Sequence, residues 1–339
     1  MNSITSANKV LTKNGDTSRS PERTGRSGYD VPSIYKDGVL CFVPASWIPY
    51  AQLVRLDKPI DVILIYLPYL IGISYAASVA IKPISTSALL DRAGIFLVGS
   101  ILLSFSGCAW NDIVDQDLDR KVERCRPRPL ARGALSTKQA LVLVAGLSIL
   151  GIILLVFLPW KCSIDAAFII LLTLVYPYLK RITHYPQICL GLLFGFAIFM
   201  ASHSLHVDPL AANTWFSTLC LWFAITLLTM LYDVIYAGQD TKDDIKAGIR
   251  GMAVRFRSSI KMLASSLALG ILILVTFTGL FAGFGRRYFV ITIGGSLGTL
   301  STMILYMDLS SHKQAYRVCS AAYILTSMSM IGGFLAEYA

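Results

Sequence analysis

Residues 93–119 read AGIFLVGSILLSFSGCAWNDIVDQDLD, an apolar run that ends in four aspartates. The apolar part, about 93–111, has the length of a membrane-spanning helix, which needs roughly 20 mainly apolar residues. The same order returns in residues 214–244, where a second apolar run leads into four more aspartates. We call residues 111–119 the first acidic window and residues 232–244 the second acidic window. The pattern predicts membrane-spanning helices with clustered carboxylates at one end.

Apolar runs of similar length occupy most of the chain. Of its 339 residues, 55% are hydrophobic and only 15% are charged, against about 25% in an ordinary soluble domain. This composition excludes most soluble enzymes. We predict an all-α polytopic membrane protein with about nine transmembrane helices in residues 46–339, after a disordered cytosolic tail in residues 1–45. The predicted spans are about 60–80, 93–111, 139–158, 164–179, 188–204, 214–232, 262–282, 288–307 and 318–336.

The basic residues fall mainly on one side of this topology. Of the 30 Lys and Arg residues, 25 lie in the N-terminal tail or in loops on a single side, which also carries both acidic windows. The positive-inside rule places that side, and with it the N-terminus, in the cytosol. The net charge of +10 is therefore interpreted as membrane orientation and anion binding. Nucleic acid is not an expected partner, because its binding proteins carry basic patches on soluble faces.

The N-terminal tail bears on the organelle. Its Lys and Arg residues are compatible with a mitochondrial presequence, but Asp16 and Glu22 interrupt them and no amphipathic helix is evident. A cytosolic tail is favoured. We therefore expect an endomembrane, such as the endoplasmic reticulum, rather than the mitochondrial inner membrane.

Both acidic windows have helical spacing. Asn111, Asp115 and Asp119 lie at i, i+4 and i+8, and Asp240 and Asp244 repeat the i, i+4 spacing, so each set shares one helix face. Like charges at this spacing repel, and carboxylates at a membrane boundary are costly to desolvate. A cation should offset both effects. Local Arg and Lys side chains are one candidate, and Mg²⁺, which prefers oxygen ligands and often retains phosphate oxygens, is the other.

Basic residues follow each window and end the fourth span. Arginine side chains suit phosphate oxygens because their planar guanidinium groups donate in pairs. Some of these residues are expected to be ordinary cytosolic anchors. The candidates are Lys121, Arg124, Arg126, Arg128, Lys180, Arg181, Lys246 and Arg250.

The chain resembles the UbiA superfamily of intramembrane aromatic prenyltransferases. The first of two characteristic motifs, Asn-Asp-x-x-Asp-x-x-x-Asp followed by Arg-x-x-x-Arg-Pro, is matched from Asn111 to Pro129. The second, Tyr-Asp-x-x-Tyr-Ala-x-x-Asp-x-x-x-Asp, is matched from Tyr232 to Asp244. Supporting stretches are RLDKP at 55–59 and YPYLKRITHYPQ at 176–187. Together the motifs extend the resemblance from about residue 50 to the last span.

This resemblance implies a nine-helix bundle around a central cavity that opens sideways into the bilayer, with two Mg²⁺ ions held by the aspartate motifs. Arg124-Cys125-Arg126 has Cys where ubiquinone-pathway members usually have Thr. In this respect the chain is similar to fungal meroterpenoid prenyltransferases, which join farnesyl or a longer chain to an aromatic polyketide-type acid or a pyrone. The expected partners are an isoprenyl diphosphate donor (farnesyl diphosphate is favoured), an aromatic acceptor and the lipid bilayer.

The expected roles follow from the same resemblance and from the charges. The metal ligands are expected to be Asn111, Asp112, Asp115, Asp119, Asp240 and Asp244, and the catalytic residues are taken from them as Asp112, Asp115, Asp240 and Asp244. Arg55 is expected to pair with an acceptor carboxylate or to anchor the first span. The expected substrate-binding residues are Arg55, Asn111, Arg124, Arg128, Lys180, Arg181, Asp233, Tyr236 and Lys246.

Three other functions stay open. Prenylation of 4-hydroxybenzoate in ubiquinone biosynthesis would use the same donor chemistry. An intramembrane terpene cyclase would ionise the same diphosphate without an aromatic acceptor. A secondary transporter is the alternative outside the enzymes, although transporters usually keep essential acids near mid-membrane and show inverted repeats, whereas these acids lie at one membrane face.

Overall fold

The computed structural model describes residues 38–308 and 311–338, and every regular element within them is helical. Nine of its helical segments are long and apolar enough to cross a membrane, which confirms the predicted number of spans. Residues 1–37, most of the expected disordered tail, lie outside the described residues, and Gly38–Phe42 forms a 3-10 helix. The long helices are α1 (Pro59–Val79), α2 (Thr86–Val114), α3 (Thr137–Leu154), α4 (Lys161–Ile182), α5 (Pro186–Ser204), α6 (Trp215–Ala237), α7 (Ile260–Ala282), α8 (Gly295–Tyr306) and α9 (His312–Tyr338).

Local signals explain where several helices begin. The Ser85 hydroxyl accepts a hydrogen bond from the Ala88 amide at 3.3 Å, so α2 begins at Thr86, several residues before the predicted start. Ser136 and Gln139 form a capping box at the start of α3, which satisfies amides that have no partner within the helix. Proline occupies the first position of α1 and of α5, where its missing amide hydrogen costs nothing.

The eighth span is assembled from three pieces. A turn of helix at Arg286–Tyr288 leads into a π-helix at Phe289–Gly294, and α8 follows without a break. The apolar segment thus extends over Arg286–Tyr306, close to the predicted 288–307.

The helices pack into a closed bundle. Neighbouring contacts join α1 to α2, α2 to α4, then α4 through α7 in order, α7 to α8, α8 to α9, and α9 back to α1, while α1 also contacts α5. Small residues allow the closest approaches: a Cβ added at Gly191 of α5 would lie 2.6 Å from the Thr226 carbonyl oxygen of α6. Small residues at helix crossings are typical of membrane bundles.

Much of the outer surface is apolar. Only 6% of the most apolar window of the third span is buried inside the protein, and α3 packs mainly on α2. Exposed side chains such as Val142, Ile149 and Ile153 cover this helix. Large exposed apolar surfaces mark contact with a partner or a membrane, and here they fit the lipid bilayer.

The polar connections are concentrated at one end of the bundle, where α1 and α5 begin and where α2, α4 and α6 end. Short helices there carry the acidic windows and their flanks: Gln116–Asp119, the 3-10 helix Gly238–Asp240, Thr241–Ala247 and Met252–Arg255. At the opposite end, His203 of α5 pairs with the buried Asp165 of α4 at 2.7 Å. The two ends therefore differ sharply in charge density.

Candidate active site

A cavity of about 300 Å³ opens within the bundle at the end that carries the acidic windows. Its deeper walls are largely apolar, formed by Leu64, Ile65, Leu103, Leu190, Leu193 and Phe194. Its polar rim is drawn from both windows and from the loops that follow α2 and α4. Rim residues that the sequence singled out are Arg55, Asn111, Asp115, Asp119, Arg124, Arg128, Lys180, Asp233, Tyr236, Asp240 and Asp244. The structure thus brings together most of the predicted site.

The first window meets the cavity at the end of α2. The helix stops at Val114, and Asp115 is its C-terminal cap. Lys180 of α4 donates to the Asn111 side-chain oxygen at 2.9 Å and to Asp115 Oδ2 at 2.7 Å. The other oxygen, Asp115 Oδ1, is buried and has no hydrogen-bond partner within the described residues. One buried carboxylate oxygen is therefore available to a further ligand.

Arg128 connects two more aspartates of the first window. Its guanidinium donates to Asp112 Oδ1 at 3.0 Å and to Asp119 Oδ2 at 2.8 Å. Burial raises the pKa of Asp119 to about 6, although the positive charge of Arg128 opposes that rise. Asp112 is only 2% exposed and also pairs with Arg55 at 3.4 Å. Unlike Asp119, Asp112 is not among the cavity-lining residues. It therefore pairs with two rim arginines on the side away from the cavity.

An arginine that follows the first window pairs with an aspartate of the second window. Arg124 Nε and Nη2 donate to the two oxygens of Asp240 at 2.8 and 2.6 Å, and Nη1 donates to the Tyr236 hydroxyl at 3.2 Å. This paired geometry is the strongest common form of Arg–carboxylate contact. Asp244 also lines the cavity, and among the described residues it forms no salt bridge. The second window therefore has a more open carboxylate than the first.

Two predicted substrate-binding residues lie outside the cavity lining. Arg181 pairs with Asp117 at 2.7 Å, and hydrogen bonding from Arg181 lowers the Asp117 pKa to about 2. Lys246 has an 80% exposed side chain and reaches Asp243 only at 3.8 Å. Both cations stand at the rim's outer surface rather than over the cavity.

Two polar cavity residues, Gln187 and Asp61, were absent from the predicted site, and Arg250 was predicted only as a candidate phosphate-binding cation. Gln187 donates to Asp233 Oδ2 at 3.0 Å and accepts from the Met252 amide at 3.2 Å. Arg250 donates to the Ile182 carbonyl oxygen at 2.7 Å, and Asp61 lies in the first turn of α1. Gln187 ends the stretch at 176–187 that supports the family resemblance, and Arg250 follows the second window. The sequence alone could not show that either side chain points into the cavity. The only signal for Asp61 was a charge inside an apolar run just after RLDKP.

The donor set suits a hard divalent cation. Within the described residues, no three His, Cys, Asp or Glu side chains are gathered closely enough to hold a metal ion by themselves, and Lys180, Arg124 and Arg128 pair with the rim carboxylates. The rim nevertheless offers carboxylate and amide oxygens, the ligands that Mg²⁺ accepts, and the buried Asp115 Oδ1 lacks a partner. The residues therefore fit a magnesium ion that arrives with an anionic ligand.

Nine membrane-length helices around a cavity with a charged rim define an integral, multi-pass membrane protein with an internal site. The chain belongs to the UbiA prenyltransferase family, whose model matches residues 65–327, and it is a prenyltransferase. The match covers both acidic windows, the seven helices α2 to α8 completely, and most of α1 and α9. The resemblance deduced from the motifs is confirmed.

Fungal prenyltransferases are among its relatives. The chain is 38% identical over 329 residues to the prenyltransferase ascA of Acremonium egyptiacum, an alignment that covers 96% of this chain and 95% of the relative. It is 37% identical to the DMOA farnesyltransferase nvfB of Aspergillus novofumigatus, covering 88% and 94%. The expected similarity to fungal members of the family is thereby confirmed.

Solved structures share the fold. A UbiA homolog from Aeropyrum pernix K1 superposes with a TM-score of 0.65 at 21% identity, covering 79% of this chain and 96% of that one. A UbiA homolog from Archaeoglobus fulgidus, solved with GPP and Mg²⁺ bound, gives a TM-score of 0.63 at 16% identity, covering 86% and 99%. These similarities confirm the predicted helical bundle.

Proposed function

We propose that the protein transfers an isoprenyl group, farnesyl in particular, from its diphosphate to a carbon of an aromatic or polyketide-derived acceptor in meroterpenoid biosynthesis. The observation that carries this proposal is the cavity itself. Carboxylates from both acidic windows and five basic side chains surround its rim, while its deeper walls are largely apolar. Such a site separates a charged head group from a hydrocarbon tail, as an isoprenyl diphosphate requires.

The diphosphate would lie at the rim. Lys180, Arg124 and Arg128 carry positive charge there, and each is held in place by an aspartate. Mg²⁺ would be held by Asn111, Asp115, Asp119, Asp240 and Asp244, with Asp112 fixing Arg55 and Arg128 behind them. When bound, Mg²⁺ neutralises charge on the departing diphosphate. The Archaeoglobus fulgidus homolog was solved with both GPP and Mg²⁺ bound, which supports a role for Mg²⁺ at this site.

The isoprenyl tail would lie along the apolar walls, out of contact with water. Tyr236 and Tyr232 both line the cavity, with stacked rings whose centroids are 6.2 Å apart. Aromatic faces attract cations, so these rings can stabilise an allylic cation as the carbon–oxygen bond to diphosphate breaks. An electron-rich carbon of the acceptor then forms the new carbon–carbon bond, and the ring proton leaves.

We further propose that the rim faces the cytosol and that the protein resides in an endomembrane such as the endoplasmic reticulum. The distribution of Lys and Arg in the sequence supports this orientation. The Aspergillus novofumigatus relative is a DMOA farnesyltransferase, which supports the choice of farnesyl.

A product assay tests the function. Membranes containing the protein receive Mg²⁺, geranyl, farnesyl or geranylgeranyl diphosphate, and a panel of hydroxybenzoic acids, resorcinols and hydroxypyrones, and products are identified by mass spectrometry and NMR. We expect a C-farnesylated aromatic product and one diphosphate released per product. A cyclised hydrocarbon formed without an acceptor, or preferred use of 4-hydroxybenzoate with a long donor, would contradict the proposal.

A further inference from the structure

Asp61 is a carboxylate of the cavity that neither acidic window explains. It lies in the first turn of α1, on a different helix from both windows, and it lines the same cavity. Its side chain is 25% exposed, whereas those of Asp115 and Asp240 are 4% and 12% exposed. A carboxylate in the first turn of a helix is favoured by the helix dipole, so the position of Asp61 on the cavity, rather than its position on the helix, is what indicates a ligand.

The partners of Asp61 leave it with free capacity. Its single ion pair among the described residues is a long one, 3.7 Å from Arg55 Nη1 to Asp61 Oδ2. Asp115, Asp119 and Asp240 each have a cation within 2.8 Å. Because an ionised carboxylate offers about four acceptor positions, most of those of Asp61 remain open toward the cavity.

Arg55 is held so that it supports this carboxylate. Its backbone has φ = 56°, a left-handed conformation that is uncommon for residues other than glycine. Its guanidinium lies between Asp61 at 3.7 Å and Asp112 at 3.4 Å. Strained backbone of this kind persists where surrounding structure enforces it, and it is concentrated at functional sites. Arg55 thus balances the charge of Asp61 without filling its acceptor positions.

The chemistry of the two substrates decides what Asp61 can bind. A diphosphate is an anion and an isoprenyl tail has no hydrogen-bond donor, so neither suits a free carboxylate. The hydroxyl group of a phenol or hydroxypyrone does. We propose that Asp61 accepts a hydrogen bond from the ring hydroxyl of the acceptor, while neighbouring Arg55 can contact an adjacent carbonyl or carboxylate oxygen. This inference rests on the proposed function and specifies its acceptor class.

Such a contact would also favour the reaction. Hydrogen bonds to an ionised group are stronger than those between neutral groups. A hydroxyl that donates to Asp61 gains electron density on oxygen, and this density is shared with the ring carbons ortho and para to it. Those carbons become better nucleophiles toward the allylic cation. Asp61 would therefore determine both which acceptors bind and which ring carbon reacts.

The test combines enzyme variants with matched acceptors. Wild-type protein and Asp61→Ala are given farnesyl diphosphate, Mg²⁺ and 2,4-dihydroxy-6-methylbenzoic acid or either of its monomethyl ethers. We expect wild type to use at least one ether roughly 10- to 100-fold less efficiently than the parent acid, the range for losing a hydrogen bond to a charged group. Asp61→Ala should lower kcat/KM for the parent acid by a similar factor and remove its advantage over that ether.

Controls separate this role from a structural one. Asp61→Asn retains an accepting oxygen and should fall between wild type and Asp61→Ala, and Asp91→Ala, at an exposed aspartate near the start of α2, should behave like wild type. An equal loss for parent acid and ethers, an increased KM for farnesyl diphosphate, or an unchanged preference in Asp61→Ala would overturn the inference alone. Absence of any C-prenylated product from wild type would overturn the proposed function and this inference with it.

Discussion

The two acidic windows resemble each other in sequence but differ in their surroundings. In the first, Asp112, Asp115 and Asp119 are at most 8% exposed, and Arg and Lys side chains from two other segments contact them within 3.0 Å. In the second, Asp240 pairs with a half-buried arginine and Asp244 has no salt bridge among the described residues. The first window therefore forms a preorganised wall, and the second retains open oxygens.

This difference predicts that the two windows contribute differently to stability and to catalysis. Buried ion pairs are strongly destabilising when one partner is removed, so the first window should matter to folding as well as to catalysis. The less deeply buried Asp240–Arg124 pair is expected to contribute less to stability, so the second window should matter mainly to catalysis. Four sets of substitutions can break or sharpen that contrast.

The largest effect on stability is expected from Asp112→Ala. It removes a 2% exposed anion from between Arg55 and Arg128, and breaking a buried pair in this way costs roughly 3–5 kcal/mol. Thermal unfolding in detergent should show a large decrease in Tm. The comparison variant Asp240→Ala should change Tm little, and equal decreases in the two variants would contradict the contrast between the windows.

Asp115→Asn should cause the largest loss of transfer among folded single variants. It removes the charge that Lys180 contacts at 2.7 Å and alters the carboxylate with the unpartnered oxygen. We expect kcat/KM for farnesyl transfer to fall by about 10²–10³-fold, the range for removing one preorganised electrostatic contact. Near-normal transfer by a folded variant would exclude Asp115 from the metal–diphosphate site.

Asp240→Asn should have an intermediate effect. It weakens the contact with Arg124, but Asp244 lies on the same cavity rim and keeps its carboxyl group. We expect a decrease of about 10–100-fold in activity, accompanied by a higher Mg²⁺ requirement. Combining it with Asp244→Asn should abolish transfer, and a double variant no worse than the single one would show that Asp244 takes no part.

The adjacent pair Lys180 and Arg181 gives the smallest expected effect and a matched control. Lys180 lines the cavity, so Lys180→Ala should raise KM for farnesyl diphosphate by about 10-fold or more. Arg181 contacts the exposed Asp117, and Arg181→Ala should change the same KM by less than about fivefold. The motif alone predicts contact of both with the donor, so a large effect of Arg181→Ala would favour that interpretation over the observed geometry.

Much of the fold could be predicted from apolar run lengths. Nine spans were expected, and the part of the chain that the structure describes contains nine. The prediction succeeded because a hydrophobic run of about 20 residues has few alternatives to a membrane helix. Helix ends were less predictable: α2 begins at Thr86 because a serine caps it, although Asp91 and Arg92 made that segment look like a loop.

The site could be predicted only in part. The i, i+4, i+8 spacing grouped Asn111, Asp115 and Asp119, and all three line the cavity. The expected single helix face was wrong, because α2 ends at Val114 and Asp119 lies in the separate short helix Gln116–Asp119. The spacing could not show that Arg124 would reach Asp240, 116 residues away, or that Arg181 would turn outward beside Lys180. Such contacts depend on how helices are rotated against each other, and the periodicity of one helix carries no information about its neighbours. Asp61 escaped notice for the same reason.

Binding of farnesyl thiolodiphosphate, a slowly reacting donor analogue, tests the central claim most directly. Its Kd is measured for purified protein in lipid nanodiscs, with and without Mg²⁺, for wild type, Asp115→Asn and Asp240→Asn. If both acidic windows hold the metal and diphosphate together, Mg²⁺ tightens binding by wild type, and either substitution removes most of that Mg²⁺ effect. Binding by wild type that is indifferent to Mg²⁺, or a full Mg²⁺ effect in either variant, would contradict the account.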